Sequence, residues 1–303
     1  MKPIFFMLVG LPYSGKSVYA EKLKNDFGAI IHSSDAIRAE ILGDVEDQSK
    51  NNLVFDTMHQ RIIKDLADGK TVVCGATNIN YKRRMDTLQR LRRVECQKVC
   101  IFMATPFDVC MERSKSRERI VPRDVVERMY RSIWIPNVYE GWDHVELVYP
   151  DGFEPYDVHD LFNGENGLNT IQHDNPHHTL NIGQHCTTTY ALIENGSAEL
   201  QEAALLHDIG KPFTKGFVNS KGEPSDVAHY YEHHHTSAYD SLFYANPELN
   251  RLYIAAIIQW HMKPFELDRL DKPDKAISKF KNLVGDKLYT DIYTLHKADV
   301  SAH

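Results

Sequence analysis

Apolar residues in the first half of the chain fall into short unbroken runs separated by stretches of helical period. The first run, Ile4-Phe5-Phe6-Met7-Leu8-Val9, has the length of a strand buried on both faces. Strands are predicted at 3–9, 28–32, 71–75, 98–104 and 144–148, and helices at 16–25, 35–42, 51–68, 81–92, 106–115 and 123–133. This βαβ rhythm predicts an α/β domain: a parallel sheet with helices on both faces and ligands at the carboxyl ends of the strands.

The pattern then changes. Between Tyr149 and Gly167 lie Pro-Asp-Gly-Phe-Glu-Pro-Tyr and Asn-Gly-Glu-Asn-Gly, turn formers that read as a linker. Beyond them the period is helical at 180–194, 198–208, 228–245, 248–261, 272–283 and 285–300, with little β-branched alternation, so the second domain is predicted to be all-α. The expected boundaries are 1–149, a linker at 150–167, and 168–303.

With 303 residues, 42% apolar and 25% charged, each half can bury its own core. The opening apolar run is too short for a signal sequence or a membrane span, and no later run approaches ~18 apolar residues, so a cytoplasmic protein without membrane association is expected. Five cysteines with no Cys-x-x-Cys pair read as reduced core thiols. Charge divides unevenly: residues 1–150 hold 23 Lys/Arg against 20 Asp/Glu, and 151–303 hold 12 against 22. Histidine divides further, three against thirteen, so a metal is to be sought in the second half.

Gly10-Leu-Pro-Tyr-Ser14-Gly15-Lys16-Ser17 follows the first strand and opens a helix, the context a phosphate-binding loop requires. Its glycines let backbone N–H groups turn around an anion, Lys16 reaches the β/γ-phosphates of ATP, and Ser17 ligates Mg²⁺. Ser33-Ser34-Asp35-Ala36-Ile37-Arg38 then puts Asp35 at the carboxyl edge of the sheet, with Arg38 one helical turn on. Asp35 there either takes a proton from an attacking hydroxyl or merely caps the helix; Arg38 is suited to an acceptor phosphate. Fourteen Lys/Arg against seven Asp/Glu from Lys82 to Arg131 fit a polyanionic acceptor or, equally, a solvated helix face. Arg117 and, with less support, Arg113 are candidates for the donor phosphates; Arg113 and Arg119 have Glu112 and Glu118 as alternative surface partners.

The phosphate-binding loop, Asp35-x-x-Arg38, Thr77-Asn78-x-Asn80-x-x-Arg83-Arg84, and Arg113-x-x-x-Arg117 followed by Val121-Pro122 stand in the order found in phage-type 5′-hydroxyl polynucleotide kinases, which residues 1–135 resemble. The resemblance implies ATP-dependent phosphorylation of 5′-OH ends of RNA or DNA. Asp35 would be the general base, Arg38 would contact the acceptor's 3′-phosphate, and Arg117 would clamp donor phosphates from a lid. In that family an Asp often precedes Thr-Asn; Ala76 stands here, so one carboxylate that helps organise Mg²⁺ is missing.

In the second half, His207-Asp208-x-Gly210-Lys211 is preceded by His185 and followed by His233, His261 and Asp299. Imidazoles and carboxylates on successive helices suit Mn, Fe, Ni or Zn, one ion or two. Adjacent His207 and Asp208 diverge by about 100° on a helix, so they are expected near a helix end or break, with Gly210 supplying the break. This order resembles the HD superfamily of phosphohydrolases over residues 168–303, with His178-Thr179-Leu180, Leu206 to Lys211, His233-x-x-x-Ser237-Ala238 and Lys297-Ala298-Asp299 carrying the likeness. The resemblance implies that His185, His207, Asp208 and Asp299 hold a first metal, and that Asp208 bridges to a second held by His233 and His261. Two metals ~3.5–4 Å apart would activate water toward a phosphoester. Lys211 would bind a phosphate oxygen.

Periodicity does not separate His233 from His234 and His235. His177 and His178 divide between substrate contact and capping, and His229 and His296 read as structural. The six-ligand set also resembles that of di-iron inositol oxygenases, which leaves a redox role as an alternative.

Together the halves imply a nucleic-acid end-healing enzyme, with RNA the expected substrate. It would phosphorylate 5′-OH ends and remove 2′,3′-cyclic or 3′-phosphates, leaving ends that an RNA ligase joins, so a functional link to such a ligase is expected. The alternatives are a small-molecule kinase fused to a nucleotide phosphohydrolase, and a nucleotide-sensing switch with a structural metal site.

Overall fold

A computed structural model describes residues 2–117, 120–176 and 179–302. The chain divides into two compact units, the first made of Met1–Met129 and Pro136–Gly152, the second of Tyr130–Ile135 and Phe153–His303.

The first unit runs β1 (Ile4–Val9), α1 (Lys16–Phe27), β2 (Ile30–Ser33), α2 (Ser34–Leu42), α3 (Asn51–Ala67), β3 (Val72–Gly75), α4 (Tyr81–Arg90), β4 (Gln97–Met103), α5 (Phe107–Ser114), α6 (Arg123–Arg131, its last two residues in the second unit) and β5 (His144–Val148). The strands form one sheet in the order β2-β3-β1-β4-β5, every pair parallel. Central β1 is apolar throughout because both faces are covered. On one face Phe6 and Leu8 pack with Ala20, Leu23, Val73, Ile101 and Met103. The predicted strands and helices are all present, with ends moved by a few residues.

The second unit runs α7 (Val158–Asn163), α8 (Ile182–Ala191), α9 (Ala198–Leu206), α10 (Lys211–Thr214), β6 (Gly216–Val218), β7 (Pro224–His229), α11 (His233–Tyr244), α12 (Arg251–Trp260), α13 (Lys263–Asp268), α14 (Asp274–Val284) and α15 (Asp286–Ser301). The stretch read as a linker, 150–167, contains α7, whose Phe162 is buried, and joins the second unit from Phe153 onward. The unit is helical, as expected, with one addition: β6 and β7 form an antiparallel hairpin. Asn219-Ser-Lys-Gly222 supplies its turn, and a three-residue strand is too short to show an alternating pattern. β7 also takes residues 228 and 229 from the helix predicted at 228–245, which begins at His233 after Glu232 in a left-handed conformation (φ 59°).

Among the described residues no helix is long and apolar enough to cross a membrane.

Candidate nucleotide and metal sites

The phosphate-binding loop leaves the carboxyl end of β1 and closes onto the first turn of α1. Gly15 precedes that helix at φ 98°, where a side chain would be strained, and a Cβ on Gly10 would lie 2.7 Å from the Ser14 hydroxyl. The Lys16 ammonium turns into the loop, donating to the carbonyls of Gly10 (3.0 Å) and Leu11 (2.5 Å) and to Ser14 Oγ (3.3 Å). Burial lowers its pKa to about 8, against the pull of Cys110 and Asp35. A cleft of about 630 Å³ beside it is lined by Tyr13, Gly15, Lys22, Arg113, Arg117 and Asp151, among others, and Ser17 lines its extension at the start of α1.

Asp35 lies in the first turn of α2, and the capping oxygen is that of Ser33, which accepts from the Ala36 N–H (3.4 Å). Helix capping therefore does not account for Asp35. Its carboxylate is half exposed and accepts from Arg38 (3.1 Å), whose buried guanidinium also donates to Asn51 Oδ1 (2.9 Å).

Of the Thr77–Arg84 stretch, two polar side chains prove to be scaffold. Asn78 donates to the Leu8 carbonyl (2.8 Å), and Gly10 N–H donates to the Thr77 carbonyl (3.0 Å), tying this segment to the end of β1. Fully buried Arg84 donates to the Asn78 carbonyl (3.0 Å) and twice to Glu140, which also accepts from Trp142. Arg113 donates to the Tyr13 carbonyl (3.4 Å) of the phosphate-binding loop, and Glu112, its alternative surface partner, pairs with Lys115 instead. Glu118 and Arg119 lie outside the described residues.

In the second unit, six side chains from five segments converge. His185 comes from α8, His207 and Asp208 from the turn that ends α9, His233 from the first turn of α11, His261 from the end of α12, and Asp299 from α15. They form two groups with closely spaced ligand atoms, one of His185, His207, Asp208 and Asp299 and one of Asp208, His233 and His261. Asp208 belongs to both.

All four imidazoles are held alike. Each Nδ1 faces a backbone carbonyl: His185 that of Ala302 (2.8 Å), His207 that of Ala204 (2.8 Å), His233 that of Tyr230 (2.8 Å) and His261 that of Ile258 (2.6 Å). With the N–H committed there, the Nε2 lone pairs face one another at 3.2 Å in the pairs His185/His207 and His233/His261. Lone pairs at that distance repel unless a cation or proton lies between them, and Asp208 Oδ1 stands 3.1 Å from His233 Nε2. The donor set fits a divalent transition metal. Burial opposes charge on His207, yet Asp208 and Asp299 raise its pKa; burial, then His233 and His207, push His261 down to about 3.

Gly210 lies in the expected break, between the end of α9 and the start of α10, and it also makes a contact that the sequence does not announce. Its φ of −82° is ordinary, but a Cβ there would meet Ser237 N at 2.5 Å and the His233 carbonyl at 2.8 Å. It is the point of closest approach between the His207–Lys211 turn and α11, sealed by its N–H donating to Ser237 Oγ (2.9 Å). Lys211 Nζ lies 2.6 Å from Asp208 Oδ2. His235 packs on Trp134 and the His234 ring lies tilted against that of His235, so of the three neighbours His233 is the one facing Asp208. His229 lies 3.2 Å from Ser225 Oγ and His296 3.7 Å from Asp268, away from the six. His177 and His178 lie outside the described residues.

Two further residues carry no sequence signal. Tyr13, at φ 67° in the phosphate-binding loop, accepts from the Val121 N–H through its hydroxyl (2.5 Å). His173, one of thirteen histidines in its half and outside any helical period, is buried with Nε2 3.3 Å from Lys211 Nζ.

Residues 5–134 match the model of an AAA domain family, AAA_33, and residues 177–299 match that of the HD domain. An L-seryl-tRNA(Sec) kinase of Methanococcus maripaludis is 22% identical over 241 residues, 74% of this chain and 93% of that protein. Among solved structures, a kinase of unassigned substrate from Chloroflexus aurantiacus is similar over 49% of this chain and 89% of its own (16% identity, TM-score 0.41). A Pnkp1/Rnl/Hen1 complex is similar over 40% of this chain and 41% of its own (18% identity, TM-score 0.35). The chain joins a P-loop kinase-like domain to an HD phosphohydrolase domain.

Proposed function

We propose that this protein heals broken nucleic-acid ends, most simply of RNA, phosphorylating the 5′-hydroxyl in the first unit and removing a 2′,3′-cyclic or 3′-phosphate in the second. The observation that carries the reading is the Asp35–Arg38 pair at the carboxyl edge of the sheet that also presents Lys16. It offers a base and a phosphate-binding cation one turn apart.

In the kinase step Lys16 exchanges its loop carbonyls for the β/γ-phosphates of ATP, and Ser17 would hold a Mg²⁺ ion, which supplies charge neutralisation when bound. The Asp35 carboxylate takes the proton of the 5′-hydroxyl as its oxygen bonds to the γ-phosphorus. The bond to the β,γ-bridging oxygen breaks, and ADP leaves. Arg38 holds the phosphate adjoining the acceptor, and Arg117, with Arg113, steadies the transferring group.

In the second unit His185, His207, Asp208 and Asp299 would hold one divalent metal, and Asp208, His233 and His261 a second. Such metals supply Lewis acidity and water activation toward a phosphoester. The chain's part is to fix four imidazole tautomers through backbone carbonyls and to offer the Lys211 ammonium to a phosphate oxygen.

The test is a 5′-OH, 2′,3′-cyclic-phosphate RNA incubated with ATP and Mn²⁺, Fe²⁺, Ni²⁺ or Zn²⁺, reading both ends. A 5′-phosphate and a 3′-hydroxyl are expected, the ends an RNA ligase joins. The relative named as an L-seryl-tRNA(Sec) kinase favours a second reading, in which the acceptor is a hydroxyl on a charged tRNA or small molecule. Phosphorylation of seryl-tRNA or free nucleosides in preference to the 5′-OH oligonucleotide would establish that reading and remove the first.

A further inference from the structure

His173 follows directly on an isolated antiparallel bridge between Gln172 and Asn181, the residue that caps α8. Its ring is fixed from three sides. Nδ1 faces the Leu180 carbonyl (2.8 Å), the backbone carbonyl accepts from the Tyr230 hydroxyl, and the ring meets that of His185 edge-on at 5.6 Å. The Nδ1 hydrogen is thereby committed, and the Nε2 lone pair points at the Lys211 ammonium (3.3 Å).

Lys211 has three N–H donors. One meets Asp208 Oδ2 (2.6 Å) and one meets His173 Nε2, while the Tyr230 ring stands 5.5 Å from the nitrogen. Tyr230 reaches all parts of this arrangement, since its own carbonyl accepts from His233 Nδ1. Without His173, Asp208 would be the one hydrogen-bonding partner left among the described residues to direct a flexible four-carbon stem.

We propose that His173 is a positioning residue of the HD site: its Nε2 holds the Lys211 ammonium at Asp208 so that the third N–H meets a substrate phosphate oxygen. The proposal rests on the phosphate-binding role of Lys211 given above, and it adds the group that makes that role geometrically definite.

The test uses the full chain loaded with Mn²⁺, with inorganic phosphate as probe by titration calorimetry, metal content by elemental analysis, and bis(p-nitrophenyl) phosphate hydrolysis as a second reading. His173→Ala should keep the wild-type metal content and weaken phosphate binding about tenfold, the order expected for losing one charge-assisted hydrogen bond. His173→Gln, which retains an acceptor, should recover most of the affinity. Lys211→Ala should weaken binding similarly, and the double variant no further, because one residue acts through the other. Loss of metal in both His173 variants, or additive effects of His173→Ala and Lys211→Ala, would overturn the proposal. A wild-type protein that binds phosphate but hydrolyses no phosphoester would remove the phosphohydrolase reading and leave the positioning role standing on the binding data.

Discussion

Individual residues here act through spacing that leaves no room for alternatives. Gly210→Ala would push a methyl group into the backbone of α11 at the turn that presents His233. A cost of about 3 kcal/mol is expected, read as a lowered urea midpoint, with reduced metal content because His233 moves. A stable, fully loaded Gly210→Ala protein would refute this role. Lys16 makes a pH-dependent prediction. Its pKa is lowered to about 8 in the free protein, and a bound triphosphate must raise it. At pH 9 the free lysine is largely neutral and the bound one charged, so ATP binding takes up a proton and weakens as pH rises above 8. Calorimetry at pH 9 in buffers of different ionisation enthalpy measures the uptake directly. Residue types were legible in the sequence at these places, but the reasons were only partly so. Gly10 and Gly15 announce their loop by pattern, whereas Gly210 reads as the helix break it is, with no sign of its contact between two segments 27 residues apart.

At the scale of elements, local pattern was enough for the sheet, because its inner strands β1 and β3 and most of β4 are buried and therefore read as unbroken apolar runs, with the part-exposed edge strands β2 and β5 following in the same alternation with helices. It failed for β6 and β7, short strands with exposed Phe217 and Val218 whose pairing is set by a turn. It also placed the start of α11 five residues early, since the left-handed Glu232 leaves no compositional mark. The four converging histidines were legible as an ordered series, but their carbonyl partners belong to the backbone and have no residue signature. His173 was missed for the same reason. Between elements, the Arg84–Glu140 pair holds α4 and the segment after β3 beneath the phosphate-binding loop. Arg84→Ala leaves Glu140 buried and unpaired, and a loss of about 3–5 kcal/mol is expected. Arg84→Met with Glu140→Met should recover much of it. Denaturant unfolding of the three proteins checks this, and equal loss in the double variant would show that packing rather than charge is at stake.

For the whole molecule, the two proposed chemistries draw on separate residues, one set in each unit. Lys16→Ala should abolish phosphorylation and leave phosphoester hydrolysis within about twofold of wild type, and Asp208→Ala should do the reverse, as expected for sites that share no residue. Assaying both ends of the same RNA with each variant tests this, and loss of both activities from either change would refute independence. The chain path carries a different consequence. It enters the second unit at Tyr130, leaves after Ile135, and enters again at Phe153. Tyr130, Ile133 and Ile135 are buried, Tyr130 bonded to Asp240 and the Ile135 N–H to Gln259. During synthesis these residues emerge more than a hundred positions before those partners. A nascent chain halted at Gly152 would therefore hold a finished sheet and an apolar strap with nothing to cover it, a species prone to aggregation that a holdase chaperone would recognise.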